Sequence, residues 1–189
     1  MQVQNVSFGA RYVKGATIKR KENGEYQNYR IAMVELDPSD ENDVDVINEI
    51  KYYWGGKKSL SYALATNMNN IYNGITDKGL TRFFALTEQK KKFENLNPKK
   101  LLSVAEITTF NKEITSIDLL ETYFKESHLS KKARFKHIGT AMLESIIFLF
   151  RGTNIILESA YSAEDFYLKH GFVKVKGGIN RLFFRSYRF

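Results

Sequence analysis

The sequence predicts an α/β protein: a single domain with a mixed, mostly antiparallel twisted sheet flanked by helices. Strand-like and helix-like segments follow one another in the order β-β-α-α-β-β-β-α-β-α-β-β. Apolar residues make up 43% of the 189 residues and only two prolines occur, so the chain can bury a core. No repeat or low-complexity tract divides it. We therefore expect one domain over residues 1–189, with residues 1–25 as an N-terminal strand extension.

The first part of the chain predicts a hairpin, two helices and three further strands. Asn23-Gly24 is a typical hairpin-turn pair. Asp40 or Asn42 is expected to cap the first helix, and Ser59 the second. The predicted elements are strands over 10–19 and 25–36, helices over 44–54 and 60–72, and strands over 81–87, 101–108 and 114–123.

The last third predicts two helices and three strands. Residues 154–159 have a fully apolar middle, which is typical of a buried parallel or central strand. Ser162 is expected to cap the last helix, and Gly171 to end it. The predicted elements are a helix over 141–150, a strand over 154–159, a helix over 163–170, and an antiparallel pair over 172–176 and 180–188.

Composition excludes several classes of site. The chain has no cysteine, which excludes disulfides, thiolate metal sites and a cysteine nucleophile, and suits a reducing compartment. The N-terminus lacks the pattern of a signal peptide, and the longest apolar run, residues 146–150, is too short to span a bilayer. We therefore expect a cytoplasmic protein with no membrane partner.

The net charge of +8 favours polyanionic partners, namely nucleic acid, an acidic protein or a phosphorylated cofactor. The lysines cluster at residues 90–92, 99–100 and 131–132, in predicted loops. Solvated loop charge explains most of them, so nucleic acid is not expected as a partner.

A small-residue turn precedes the most apolar predicted helix. The first turn of a helix has free N–H groups and a positive dipole end, both of which attract phosphate. Gly139 and Ala141 would let a pyrophosphate approach the backbone closely, and Lys136 and His137 can add charge or a donor. An ordinary helix start packed on a strand is the alternative. The candidate cofactor contacts are Lys136, His137, Ile138, Gly139, Thr140 and Ala141.

Two segments and the order of the elements together resemble a known superfamily. Residues 136–141 are similar to a Gln/Arg-x-x-Gly-x-Gly/Ala pyrophosphate loop, with Lys136 in the Gln/Arg place. Residues 158–172, Glu-Ser-Ala-x-x-Ala-x-x-Phe-Tyr-x-x-x-Gly-Phe, resemble a block in which a helix supplies a tyrosine beside a thioester. Over roughly residues 26–189 the chain resembles the GNAT acyl-CoA N-acyltransferase superfamily. It departs from the pattern at Lys136 and in its longer linker, residues 124–135.

The resemblance implies transfer of an acetyl group from acetyl-CoA to a primary amine by direct attack. It places the cofactor in a wedge between the strands over 114–123 and 154–159. The further cofactor contacts that it implies are Leu120, Thr122, Tyr123 and Ser159. Tyr167 would be the general acid, although a core tyrosine is the alternative.

Two carboxylates on the flanking strands, Glu121 and Glu158, are candidates for the base, or for binding a cationic substrate. For each, a strand end facing solvent is the alternative. The acceptor is expected against the two helices of the first half, where core packing equally explains many of the aromatic residues. Those residues are Tyr52, Tyr53, Trp54, Tyr62 and Tyr72. His128 and His170 have no metal-ligand spacing with any carboxylate, so no metal is predicted.

Three functions remain open from the sequence. The first is an N-acetyltransferase, with acetyl-CoA and an unidentified amine as its partners. The second is a non-catalytic GNAT-like module for acyl-CoA binding or protein interaction. The third is an acetyltransferase that acts on a tRNA-borne amine. The first is favoured because the phosphate turn and Tyr167 are both intact; a homodimeric state is left open.

Overall fold

A computed structural model describes residues 9–123, 133–177 and 180–185, and its strands form one nine-stranded sheet. The strands are β1 (Arg11–Glu22), β2 (Glu25–Leu36), β3 (Thr81–Thr87), β4 (Leu101–Thr109), β5 (Ile114–Thr122), β6 (Phe135–Lys136), β7 (Asn154–Glu158), β8 (Val173–Lys174) and β9 (Arg181–Phe184). Their order across the sheet is β6-β1-β2-β3-β4-β5-β7-β9-β8. Among these described strands, only the pair β5 and β7 is parallel. The predicted mixed, mostly antiparallel sheet is confirmed.

The hairpin of β1 and β2 extends beyond its neighbour. Asn23 and Gly24 both have positive φ, 50° and 90°, as a tight two-residue turn requires. β3 pairs only with residues 32–36 of β2. β6 pairs with Lys19 and Arg20 at the outer edge of β1. Within the predicted N-terminal extension, Arg11–Glu22 therefore form a strand of the sheet, and the hairpin of β1 and β2 projects past β3.

Helices α1 (Glu41–Tyr53) and α2 (Leu60–Tyr72) pack on one face of the sheet. Asp40 caps α1 by accepting from the Asp43 N–H, and Ser59 caps α2 by accepting from the Tyr62 N–H, as predicted. Their shared core includes Val34, Ile47, Leu64, Met68, Phe83 and Val104.

Helices α3 (Ile138–Leu149) and α4 (Glu164–Lys169) pack on the opposite face. Successive side chains of a strand point to opposite faces, so each central strand contributes to both cores. The core on the α3 side includes Met33, Phe84, Ile107, Met142, Ile146 and Ile155.

The starts of three helices differ from the prediction. α1 begins at Glu41 and α3 at Ile138, each three residues earlier than expected. Ser162 does not cap α4, because the chain enters that helix through a 3₁₀ turn in which the Ala163 N–H donates to the Ala160 carbonyl. Residues 124–132 of the linker and 186–188 of the last predicted strand lie outside the described residues. Within the described part, no helix is long and apolar enough to cross a bilayer.

Candidate active site

A gap opens in the sheet where β5 and β7 separate. The two strands pair only from Ile114 with Asn154 to Ile117 with Leu157. β5 continues to Thr122 along β4, but beyond Ile117 its other edge has no strand partner in the described part of the chain. Asp118 is the extra residue of a β-bulge at this point, and such a bulge bends the strand. The gap is the predicted wedge.

Backbone groups of β5 line this gap. The Tyr123 N–H donates to the Leu102 carbonyl at 2.9 Å, and the Glu121 carbonyl accepts from the Ser103 hydroxyl at 2.7 Å. These two residues therefore turn their backbone groups toward β4. Because successive residues of a strand turn their amides to opposite edges, those of Leu120 and Thr122 face the gap. The Tyr123 N–H was a predicted cofactor contact, but it donates its hydrogen bond to the Leu102 carbonyl instead.

The first turn of α3 has no side-chain cap. His137, the N-cap residue, has left-handed backbone geometry with φ 64° and ψ 22°, and makes no capping hydrogen bond. The Ala141 N–H donates to the His137 carbonyl at 2.9 Å. The N–H groups of Ile138, Gly139 and Thr140 lie in the first turn, so the helix has no carbonyl that could accept from them. They form the positive end of the helix dipole. This turn is built to accept an anion.

Gly139 is where three elements meet. A Cβ on Gly139 would lie 3.6 Å from the Thr122 hydroxyl oxygen at the end of β5 and 3.6 Å from the Phe166 ring on α4. Both are ordinary contact distances, so a methyl group fits there, but a longer side chain would fill the space between these elements. The absence of a side chain at Gly139 keeps the start of α3 open beside the gap.

Tyr167, the residue after Phe166 on α4, is buried. Its ring contacts those of Phe166 and Phe172, with centroids 5.1 and 5.7 Å away. Burial raises the pKa of the Tyr167 hydroxyl to about 12. The hydroxyl therefore keeps its proton at neutral pH, and this proton is available for donation.

Ser159, just after β7, is also buried. Its N–H donates to the Asn180 carbonyl at 3.0 Å, but its hydroxyl has no hydrogen-bond partner among the described residues. A buried hydroxyl without a partner costs about 1–3 kcal/mol. The place of Ser159 among the cofactor contacts stays a prediction.

The two candidate bases have very different surroundings. A Glu121 carboxylate oxygen accepts from the Ser61 N–H at 2.6 Å, in the first turn of α2, and burial raises the pKa of the Glu121 carboxyl. Glu158 is exposed at the end of β7 and pairs with Arg181 at 2.8 Å. Glu121 is thus half-buried with a raised pKa, whereas Glu158 matches the alternative, a strand end facing solvent; which of them is the base stays a prediction.

Comparisons with known proteins bear on the fold. No protein-family model and no curated protein sequence matches the chain. Among solved structures, AtaT in complex with acetyl-methionyl-tRNAfMet matches at 13% identity and a TM-score of 0.55, over 82% of this chain and 94% of that one. AtaTR bound with acetyl-CoA matches at 16% identity and 0.55, over 82% and 92%. A protein described as a GNAT-family acetyltransferase from Desulfovibrio desulfuricans matches at 12% and 0.54, over 81% and 94%. This chain has the GNAT fold.

The GNAT fold confirms the predicted fold class. Sequence identities of 12–16% support a shared fold and do not show a shared substrate or activity. The expectation that nucleic acid is not a partner gains no support from these comparisons, since one of the matched structures contains a tRNA.

In this GNAT fold, aromatic residues border the α2 side of the gap. Trp54 is buried and stacks on Tyr123 with ring centroids 5.4 Å apart, two residues beyond Glu121. Tyr52 and Tyr72 are exposed, and Tyr62 is half-buried. Packing explains Trp54. Acceptor contacts by the other tyrosines stay a prediction, and the Tyr53 side chain lies outside the described part. Among the described residues, no group of three His, Asp or Glu could hold a metal ion.

Two residues of this region were missed by the sequence analysis. Ser61 holds Glu121, but they lie 60 positions apart and no sequence pattern joins them. Glu106 on β4 is buried and accepts from the Asn67 amide nitrogen at 2.9 and 3.0 Å, and burial raises its pKa. In the sequence, the feature that could have revealed Glu106 is a single carboxylate within an apolar strand, Leu101–Thr109.

Proposed function

We propose that this protein is an N-acetyltransferase that transfers an acetyl group from acetyl-CoA to a primary amine by direct attack. The observation that carries the proposal is the uncapped first turn of α3, open beside the gap between β5 and β7. A matched structure of the same fold, AtaTR, is bound with acetyl-CoA. We also propose that residues 1–189 form one domain.

The residues at the gap fit acetyl-CoA. The N–H groups of residues 138–140 would hold the pyrophosphate, with positive charge added by Lys136. The amides of Leu120 and Thr122 would bind the peptide-like pantetheine arm along the open strand edge. The Ser159 hydroxyl, which has no partner among the described residues, would be a further polar contact. Acetyl-CoA would supply the thioester from which the acetyl group is transferred.

The acid and the base approach the gap from opposite faces. Glu121 lies on the α2 side, where its raised pKa makes it a better proton acceptor than an ordinary carboxylate. Tyr167 lies on the α3 side, where its proton is retained for the departing sulfur. The amine would thus enter from the α2 side and the thiol leave on the α3 side.

A non-catalytic acyl-CoA-binding module is the competing function, and turnover separates the two. The experiment incubates the protein with acetyl-CoA and a panel of amines, namely small amines, peptide N-termini and an aminoacylated RNA, and follows free-thiol release. We expect release that depends on one class of amine. Binding of acetyl-CoA without release for any amine would favour the module, and no binding would refute both. A cytoplasmic location and a homodimeric state stay predictions.

A further inference from the structure

Positive charge concentrates on the strands of the β1–β2 hairpin just behind its tip and on the strand beside them. Residues 11–30 contain six cationic residues and two carboxylates. β6 and the loop after β3 add two more cations to this region. We call this group the basic edge; it consists of Lys19, Arg20, Lys21, Arg30, Lys90 and Lys136.

Most cations of the basic edge lack a carboxylate partner. Arg20 pairs with Glu22, but within the described part of the chain Lys19, Lys21 and Lys136 form no ion pair. Lys19 lies directly opposite Lys136 in the β1–β6 register. Like charges directly opposite one another destabilise a strand pair, so this arrangement costs free energy unless an anion binds there.

Aromatic rings hold these cations in place. Arg20 and Lys90 lie over the ring of Tyr29, 4.1 and 4.4 Å from its centroid. Lys136 lies 4.0 Å from the ring centroid of Tyr26. A ring positions a cation without neutralising its charge. Lys136 is thus ordered with its charge available to a partner, and by the strand register it shares one face of the hairpin with Lys19, Lys21 and Arg30, whereas Arg20 lies on the other face.

The shape of the basic edge fits a nucleic-acid backbone. Arg30 lies opposite Thr17, so the cations from Lys21 to Arg30 extend over four strand residues, about 13 Å. That length exceeds one phosphate group. The hairpin tip, residues 22–25, carries two carboxylates and no apolar side chain, which does not suit insertion into an anionic membrane.

The basic edge is close to the cofactor site. Only two residues separate Lys136 from Gly139, so their Cα atoms are at most about 10 Å apart. We propose that the basic edge binds the phosphate backbone of an RNA, and that this RNA carries the acceptor amine. This inference rests on the proposed acetyl transfer and names its class of acceptor.

The test measures binding of a fluorescent tRNA, with and without an attached amino acid, by anisotropy over a range of salt concentrations. The variant is Lys19→Glu/Lys21→Glu/Arg30→Glu. The control, Lys57→Glu/Lys99→Glu/Lys112→Glu, makes the same change in net charge at three exposed lysines elsewhere. We expect at least tenfold weaker binding for the first variant, and a salt slope that falls by about two. The control should stay within about threefold of the parent.

Three results would overturn the inference: absence of tRNA binding by the parent, equal loss in both variants, or loss of acetyl-CoA affinity in the first variant. The last would assign the basic edge to the phosphates of the cofactor. If the first variant does not fold, Lys21→Gln/Arg30→Gln, at two exposed positions, replaces it. Thiol release with small amines but no tRNA binding would refute this inference and leave the proposed function intact. Binding of tRNA without acetyl-CoA binding would refute the proposed function.

Discussion

The first turns of α2 and α3 lie on opposite faces of the sheet and are completed in opposite ways. At α2, Ser59 caps the helix and the Glu121 carboxylate accepts from the Ser61 N–H. At α3, no side chain caps the helix, and Gly139 leaves space in front of it. The protein thus supplies its own anion to one helix and none to the other.

This difference indicates where an external anion binds. Both turns have the same free N–H groups and the same positive dipole end. Because Glu121 already occupies the α2 end, a phosphate has no place there. The α3 end has no such competitor, and the open edge of β5 lies next to it.

The largest effect on activity is expected from Tyr167→Phe, on the α3 side. The substitution removes the only proton donor that we assign to the departing sulfur, and such help is worth on the order of a hundredfold in rate. Turnover should fall by about that factor while acetyl-CoA affinity and melting temperature stay unchanged. Tyr12→Phe, at an exposed position outside the proposed site, is the matched control. Near-parental turnover, with chemistry rate-limiting, would make Tyr167 a packing residue.

A smaller loss, about tenfold or more, is expected from Glu121→Gln, on the α2 side. The amide oxygen still accepts from the Ser61 N–H, so the helix end should survive and mainly the base is lost. In the parent, turnover should rise with pH through a carboxyl pKa above the ordinary range, because the base must be deprotonated. The Glu121→Gln variant should lose this rise of turnover with pH. Glu158→Gln is the matched control, and a larger loss in that variant would transfer the role of base to Glu158.

The smallest effect on activity is expected at a third helix end, that of α1. Asp43 is buried there, one of its carboxylate oxygens has no partner among the described residues, and burial raises its pKa to about 7. The folded state therefore binds this proton more tightly than the unfolded chain, and the free energy of unfolding should decline as pH rises from about 4 to 7. Urea unfolding of Asp43→Asn should show a flatter decline, with turnover unchanged. An equal decline in the parent and the variant would contradict this pKa; Asp45→Asn, at an exposed position, is the control.

The sequence was sufficient where the determinants are local. Ser59 and the apolar spacing behind it predicted the bounds of α2 exactly as Leu60–Tyr72, and Asp40 caps α1 as expected. The bounds of β3 also match. In each case the hydrogen bonds and the apolar pattern lie within a few residues of one another, so a single stretch of sequence contains the information.

The sequence was insufficient where distant segments decide the outcome. β6 has only two residues and exists because β1 pairs with it, which no local pattern records. Ser162 has the side chain of a cap, yet a backbone hydrogen bond to Ala160 closes that turn instead. Glu121 and Glu158 were equivalent candidates in sequence, and only the packing of α2 against β5 separates them.

The central claim is that the open first turn of α3 binds the pyrophosphate of acetyl-CoA, and calorimetry tests it most directly. Gly139→Glu and Gly139→Gln put side chains of nearly equal size in front of this turn, and only the first brings a negative charge. We expect the parent to bind acetyl-CoA, and the Glu variant to bind about tenfold more weakly than the Gln variant, because its carboxylate competes for the same N–H groups. Equal affinities of the parent and both variants would contradict the claim.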